Sequence, residues 1–130
     1  MSINCIVVTP AETAVETEVS AISLPLFDGD KGVMADHAPM IGRLGNGELK
    51  LQGTEDGSHF YIEGGFVQVL DNKVSILTNR VIAVEDLDLS ALQEELSNAL
   101  AMPGNNDEEL DLRERAVDAV RAQLRVAQRS

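Results

Sequence analysis

Over its first two thirds the chain alternates apolar and polar residues with the period of two that a half-buried strand requires. Segments 3–9, 19–24, 48–52, 59–63, 66–70 and 73–78 are short, carry β-branched or aromatic residues, and are separated by turn formers. That spacing predicts an all-β sandwich or barrel over residues 1–85. In Glu48-Leu49-Lys50-Leu51-Gln52 the alternation gives one wet face and one dry face. Glu55-Asp56-Gly57-Ser58 and Asp71-Asn72-Lys73 read as hairpin turns, because Asp, Asn and Gly tolerate the positive φ of a tight reversal.

From Asp86 the period changes to about 3.6, with Leu89, Leu92, Leu96, Ala99 and Leu100 on one helical stripe. A first helix is predicted over 89–102, with Asp86 and Asp88 where a helix N-terminus favours anions and Pro103-Gly104 as its stop. Asn106 with Glu109 three residues on resembles a capping box and opens a second helix to residue 128, striped by Leu112, Ala116, Val117, Val120, Leu124 and Ala127. A link of about five residues predicts that the two helices, residues 86–130, form an antiparallel hairpin.

A chain of 130 residues holds one domain, or one small domain with an appendage, which excludes a large multidomain enzyme. The formal net charge of -12, with no Trp and four other aromatic residues, argues against nucleic acid and for protein partners. No basic-then-apolar leader opens the sequence, and no apolar run reaches the roughly 18 residues of a membrane span, so a membrane is expected to be met only through a partner. The lone Cys5 fits a reducing compartment and reads as a small buried hydrophobe. Charge also divides the helices: residues 85–109 hold eight acidic and no basic side chains, whereas residues 110–130 hold five Arg and three acidic ones.

Asp28, Asp30, Asp36 and His37 crowd one predicted loop, which raises metal or acid–base chemistry. Spacing argues against both. An EF-hand loop needs an oxygen ligand at residue 32 and a Glu at residue 39, where Gly32 and Pro39 stand, and zinc lacks ligands at suitable spacing. The plainer expectation is a solvated turn in which Gly29 and Gly32 adopt positive φ and Pro39 sets the exit. Gly64-Gly65 lacks the Lys and Ser/Thr of a phosphate loop and precedes a strand, so a bulge or close backbone approach is expected. Arg121, Arg125 and Arg129 recur every four residues as a ladder on one side of the second helix, either solvated and paired with the acidic first helix or meeting a partner.

Residues 24–44, from Leu24-Pro25 through Asp28-Gly29-Asp30, Gly32-Val33-Met34 and His37-Ala38-Pro39 to Leu44, resemble the signature of the epsilon subunit of bacterial F-type ATP synthases. The resemblance continues through Gly47-Glu48-Leu49, Ile62-Glu63-Gly64-Gly65-Phe66-Val67-Gln68-Val69, Asn72-Lys73-Val74-Ser75-Ile76-Leu77 and Gln123-Leu124-Arg125-Val126. It implies a non-catalytic rotor subunit without cofactor, peripheral at the cytoplasmic face of the inner membrane, whose sandwich meets the gamma subunit and the c-ring. Asp28, Asp30, Asp36, His37, Ala38, Pro39 and Met40 are then the implied rotor contacts. The same resemblance implies that the second helix can extend beside gamma and press Arg121, Arg125 and Arg129 against the beta subunit, near alpha, to block hydrolysis. Relatives that bind ATP carry Arg where this chain has Ala91, so weak or no ATP binding is expected. A free-standing acidic adaptor for another protein is the alternative.

Overall fold

The computed structural model describes residues 2–53 and 58–129, apart from the side chains of Ser58 and Arg129. Two compact units follow one another, Met1–Ala83 and Val84–Ser130.

The first unit consists of β1 (Ile3–Val8), β2 (Thr13–Val19), β3 (Ala21–Leu26), β4 (Gly29–Met34), β5 (Met40–Arg43), β6 (Asn46–Gln52), β7 (Ser58–Glu63), β8 (Phe66–Leu70), β9 (Lys73–Leu77) and β10 (Val81–Ala83). They form two five-stranded sheets, ordered β2-β1-β9-β8-β5 and β10-β7-β6-β3-β4. Neighbours run antiparallel except β1 and β9, which are parallel. The sandwich is what the period of two requires. Ile3, Cys5, Val7, Val67, Val69, Val74 and Ile76 of one sheet are fully buried with Ile22, Leu24, Val33, Leu49, Leu51 and Ile62 of the other. Full burial of such a side chain is worth about 1.5–3 kcal/mol, so this is a stiff module.

Several strands depart from the sequence expectation. Residues 19–24 are not one strand but the corner between β2 and β3, where the chain changes sheets at Ser20; its N–H and hydroxyl both donate to the Gln52 carbonyl, at 2.8 and 3.1 Å. The Asp- and Gly-rich loop predicted across residues 28–37 is largely strand. Gly29–Met34 is β4, paired along β3 from Leu26↔Gly29 to Ala21↔Met34. Its Gly-Asp-Lys-Gly start has little strand preference of its own, so the backbone bonds of β3 and the burial of Val33 decide its conformation. Gly32 sits within this ladder and not at positive φ; of the two glycines only Gly29 is left-handed, at φ +136°. The Asp71-Asn72 turn closes β8 and β9 as expected, with φ of 51° and 60°, the pair of positive values a type I′ reversal needs. The turn expected at Glu55-Asp56-Gly57 lies outside the described residues.

The second unit opens with a 3-10 turn, Val84–Asp86, followed by α1 (Leu89–Leu100) and α2 (Asp107–Arg129). Asp88 caps α1: its carboxylate accepts from the Ser90 N–H at 2.9 Å and the Ala91 N–H at 3.4 Å. α1 ends before residue 102 because the Ala101 N–H bonds back to Ser97 and the Met102 N–H to Ala99, tightening the last turn ahead of Pro103. At α2 the expected capping box is present in altered form. Asn106 accepts from the Glu109 N–H at 2.8 Å, and Glu109 reaches back to the Asn105 N–H at 3.0 Å, one residue earlier than the usual partner. The helices run antiparallel: Leu92, early in α1, is buried with Val120 and Leu124, late in α2, and Leu87, Leu96 and Ala127 pack around them. The apolar stripe is narrower than predicted, for Leu89, Leu100 and Leu112 are exposed.

Candidate functional site

The residues that the sequence places on one loop occupy opposite ends of β4. Phe27-Asp28 is the two-residue turn of the β3–β4 hairpin, and Asp30 comes directly after it, opposite Pro25. Asp36, His37, Ala38 and Pro39 lie past the far end of the six-residue strand, and Met40 opens β5. At about 3.3 Å per residue this separates the two groups by about 20 Å. Among the described residues no three His, Cys, Asp or Glu side chains come together as a metal site would require.

The near end is tied to the rest of the sandwich by backbone. The Phe27 N–H donates to the Arg43 carbonyl, the Gly45 N–H to that of Pro25, and the Leu44 N–H to that of Gly65, each at 2.8 Å. Phe27 is exposed, and the Arg43 guanidinium lies over its ring, 4.8 Å from the centroid. Asp28 and Asp30 are exposed around this aromatic–cation pair. Gly64-Gly65 is the close backbone approach anticipated from the sequence: both are left-handed, and a Cβ on Gly65 would run into the Leu77 carbonyl.

At the far end residues 35–39 carry the chain from β4 in one sheet to β5 in the other. The His37 N–H donates to the Met34 carbonyl at 3.3 Å, closing a turn, and the His37 ring Nδ1 lies 2.7 Å from the Ala38 carbonyl, so that nitrogen carries the proton. His37 and Met40 are half-buried, Ala38 and Pro39 exposed.

Sequence reasoning missed an exposed row that begins at Arg43, beside the near end. In the sheet containing β5, β8, β9 and β1 the solvent-facing residues line up across strands: Arg43 opposite Phe66, Phe66 opposite Leu77, Leu77 opposite Val8. Ile41, Phe66 and Leu77 are 77%, 58% and 53% exposed, although their inward neighbours are fully buried. A cavity of about 730 Å³ borders this row, lined by Thr9, Pro10, Arg43, Phe66, Leu77 and Asn79 among others. The signal was present as the apolar residues at 41, 66 and 77, which occupy the polar phase of their strands. An exposed apolar row of this kind is suited to a contact.

In α2, Arg121 and Arg125 are exposed and form no ion pair among the described residues, so the pairing with acidic α1 expected from the charge pattern is not made there. Among the described residues of this unit the ion pair is Arg115 with Asp111, at 3.0 Å within α2 itself. The side chain of Arg129 lies outside the described residues. Ala91 stands in the first turn of α1, where Asp88 is engaged as the cap.

Both the sequence and this geometry match known proteins. Residues 2–84 match the family model described as ATP synthase, Delta/Epsilon chain, beta-sandwich domain. The ATP synthase epsilon chain of Rhodopirellula baltica is 43% identical over 127 residues, 98% of this chain and 99% of that one. A chain of the mitochondrial ATP synthase of Euglena gracilis, solved as an OSCP/F1/c-ring assembly, superposes with a TM-score of 0.84 at 25% identity, over 98% of this chain and 81% of its own. One from the central stalk and c-ring of the Tetrahymena thermophila mitochondrial enzyme gives 0.74 at 17% identity, over 98% and 97%, a likeness of fold.

Proposed function

The chain belongs to the family of ATP synthase epsilon chains, and on that premise we propose that it is a non-catalytic subunit of the rotor, at the cytoplasmic face of a bacterial inner membrane. Among the described residues no helix is long and apolar enough to cross a membrane. In this reading attachment runs through the complex.

In this reading residues 1–85 grip the foot of the gamma subunit and the c-ring, so that ion-driven rotation reaches the catalytic head without slipping. The observation that carries it is the solvent-facing row of Arg43, Phe66, Leu77 and Val8, with Ile41 beside it, on a closely packed sandwich. Apolar atoms supply affinity there and Arg43 supplies register, while the rigid core behind them transmits torque. The two ends of β4 suit two partners better than one. Asp28 and Asp30 offer an acidic patch beside Phe27 and Arg43, and Asp36, His37, Ala38, Pro39 and Met40 offer a second patch about 20 Å away. The chain from Euglena gracilis that superposes on this one was solved in an assembly of OSCP, F1 and c-ring, which supports this choice of partners.

Residues 86–130 are the regulatory part. Arg121 and Arg125, exposed and without an ion pair among the described residues, form a basic strip on α2 suited to an acidic segment of the beta subunit once α2 extends. The apolar seam of Leu92, Val120 and Leu124 is short. Exchanging it for another docking surface cancels most of its energy, and reversing a 99:1 population takes about 5.5 kcal/mol of differential binding.

The test is ATP hydrolysis by the assembled complex. Deleting residues 86–130 should leave assembly intact and raise hydrolysis. Replacing Arg121, Arg125 and Arg129 together by Ala should give part of that release. Unchanged hydrolysis in the truncated, fully assembled complex removes the inhibitory half of the proposal.

A further inference from the structure

Asp36 is one of three residues other than glycine at positive φ among the described residues, at 64°, and the other two, Asp71 and Asn72, form the turn facing it. The two turns are clasped. The Asp36 N–H donates to the Asn72 Oδ1 at 2.6 Å, and the Asn72 Nδ2 donates to the Asp36 Oδ1 at 3.3 Å. Asn72 is itself anchored, because its carbonyl accepts from the Asn4 N–H at 2.9 Å and its turn is closed by the Leu70↔Lys73 pair. A side chain at φ near +60° is disfavoured unless the surroundings hold it, and the partner holding Asp36 is 36 positions away in sequence. Beyond Asp36 the chain crosses between sheets: His37 is bonded back to Met34, then come Ala38, Pro39 and Met40, which enters the ladder opposite Val69.

We propose that Asn72 is a positioning residue: through its reciprocal bonds to Asp36 it fixes residues 36–40 in the shape that meets a rotor partner. The inference rests on the reading of that loop as a contact and adds what holds it in place. A loop already in its bound shape loses less freedom on association, so removing the clasp weakens binding without touching any contact atom.

The test uses the full chain. Asn72→Gly keeps the turn, since glycine accepts φ near 60°, and removes the clasp. Asn72→Asp sets two carboxylates against each other, and adding Asp36→Asn to it restores a donor and an acceptor in swapped positions. Two readouts are taken: amide hydrogen exchange of residues 36–40 in the isolated chain, and affinity for the cognate gamma subunit and c-ring. Expected are a roughly tenfold loss of protection at the Asp36 amide and a roughly tenfold weaker association in Asn72→Gly and Asn72→Asp, with both recovered in the swap. Unchanged exchange in Asn72→Gly overturns the clasp. Changed exchange with unchanged affinity, while Met40→Glu does weaken binding, overturns the positioning role and leaves the contact standing. If Met40→Glu also binds both partners normally, the contact reading fails, and the positioning role fails with it.

Discussion

Cys5 is the clearest case of burial deciding what a single side chain can do. It is fully buried in β1, and burial pushes its thiol from 9.0 up to about 12. The folded chain therefore keeps this proton where the unfolded chain releases it. The associated stability is complete below pH 9 and is lost as pH rises toward 12, by up to about 1.4 kcal/mol per pH unit. Chemical denaturation between pH 8 and 11 should show a steeper alkaline loss in the natural chain than in Cys5→Ala; equal slopes would contradict this. The inert role of Cys5 was legible because a lone small residue in an alternating apolar run has few other uses. The arrangement of Asp28, Asp30, Asp36 and His37 was not. Nearness in sequence stood in for nearness in space, and β4 is held extended by bonds to β3 that no local propensity announces. The Asp36–Asn72 clasp was hidden for the same reason.

Among elements, those with strong internal pattern could be read and those made by their neighbours could not. β1, β6, β8 and β9 carry their own alternation, and both helices carry their own caps. β4, the four-residue β5 and the three-residue β10 exist because a partner strand supplies hydrogen bonds. The caps are testable. Asp88→Ala leaves the Ser90 and Ala91 N–H groups without an acceptor and should cost about 1 kcal/mol of helix-unit stability. Asp88→Asn should cost much less, as followed by urea denaturation with a helix-specific signal; equal losses would argue against capping as the role of Asp88. α1 also carries no basic residue, with Ala91 and exposed Glu94 and Glu95 on its surface. Calorimetry with ATP should therefore show no binding in the micromolar range, and micromolar affinity would refute that expectation.

At the scale of the whole molecule the sequence conveyed a β module and then a helical one, because the change of period near residue 86 is abrupt. It did not convey the proposed contact face. That face is assembled from single residues on four strands, and only the registers Arg43↔Phe66, Phe66↔Leu77 and Val8↔Leu77 bring them into one row. Placing a charge in the middle of such a row leaves the core behind it intact while removing the apolar contact a partner needs. The most direct test of the account is titration of the purified full chain with its cognate gamma subunit, alongside Phe66→Glu and Leu77→Glu. A stable one-to-one complex is predicted for the natural chain, weakened at least tenfold in each variant with thermal stability nearly unchanged. A natural chain that does not bind gamma, or variants that bind it as tightly as the natural chain, would contradict the account.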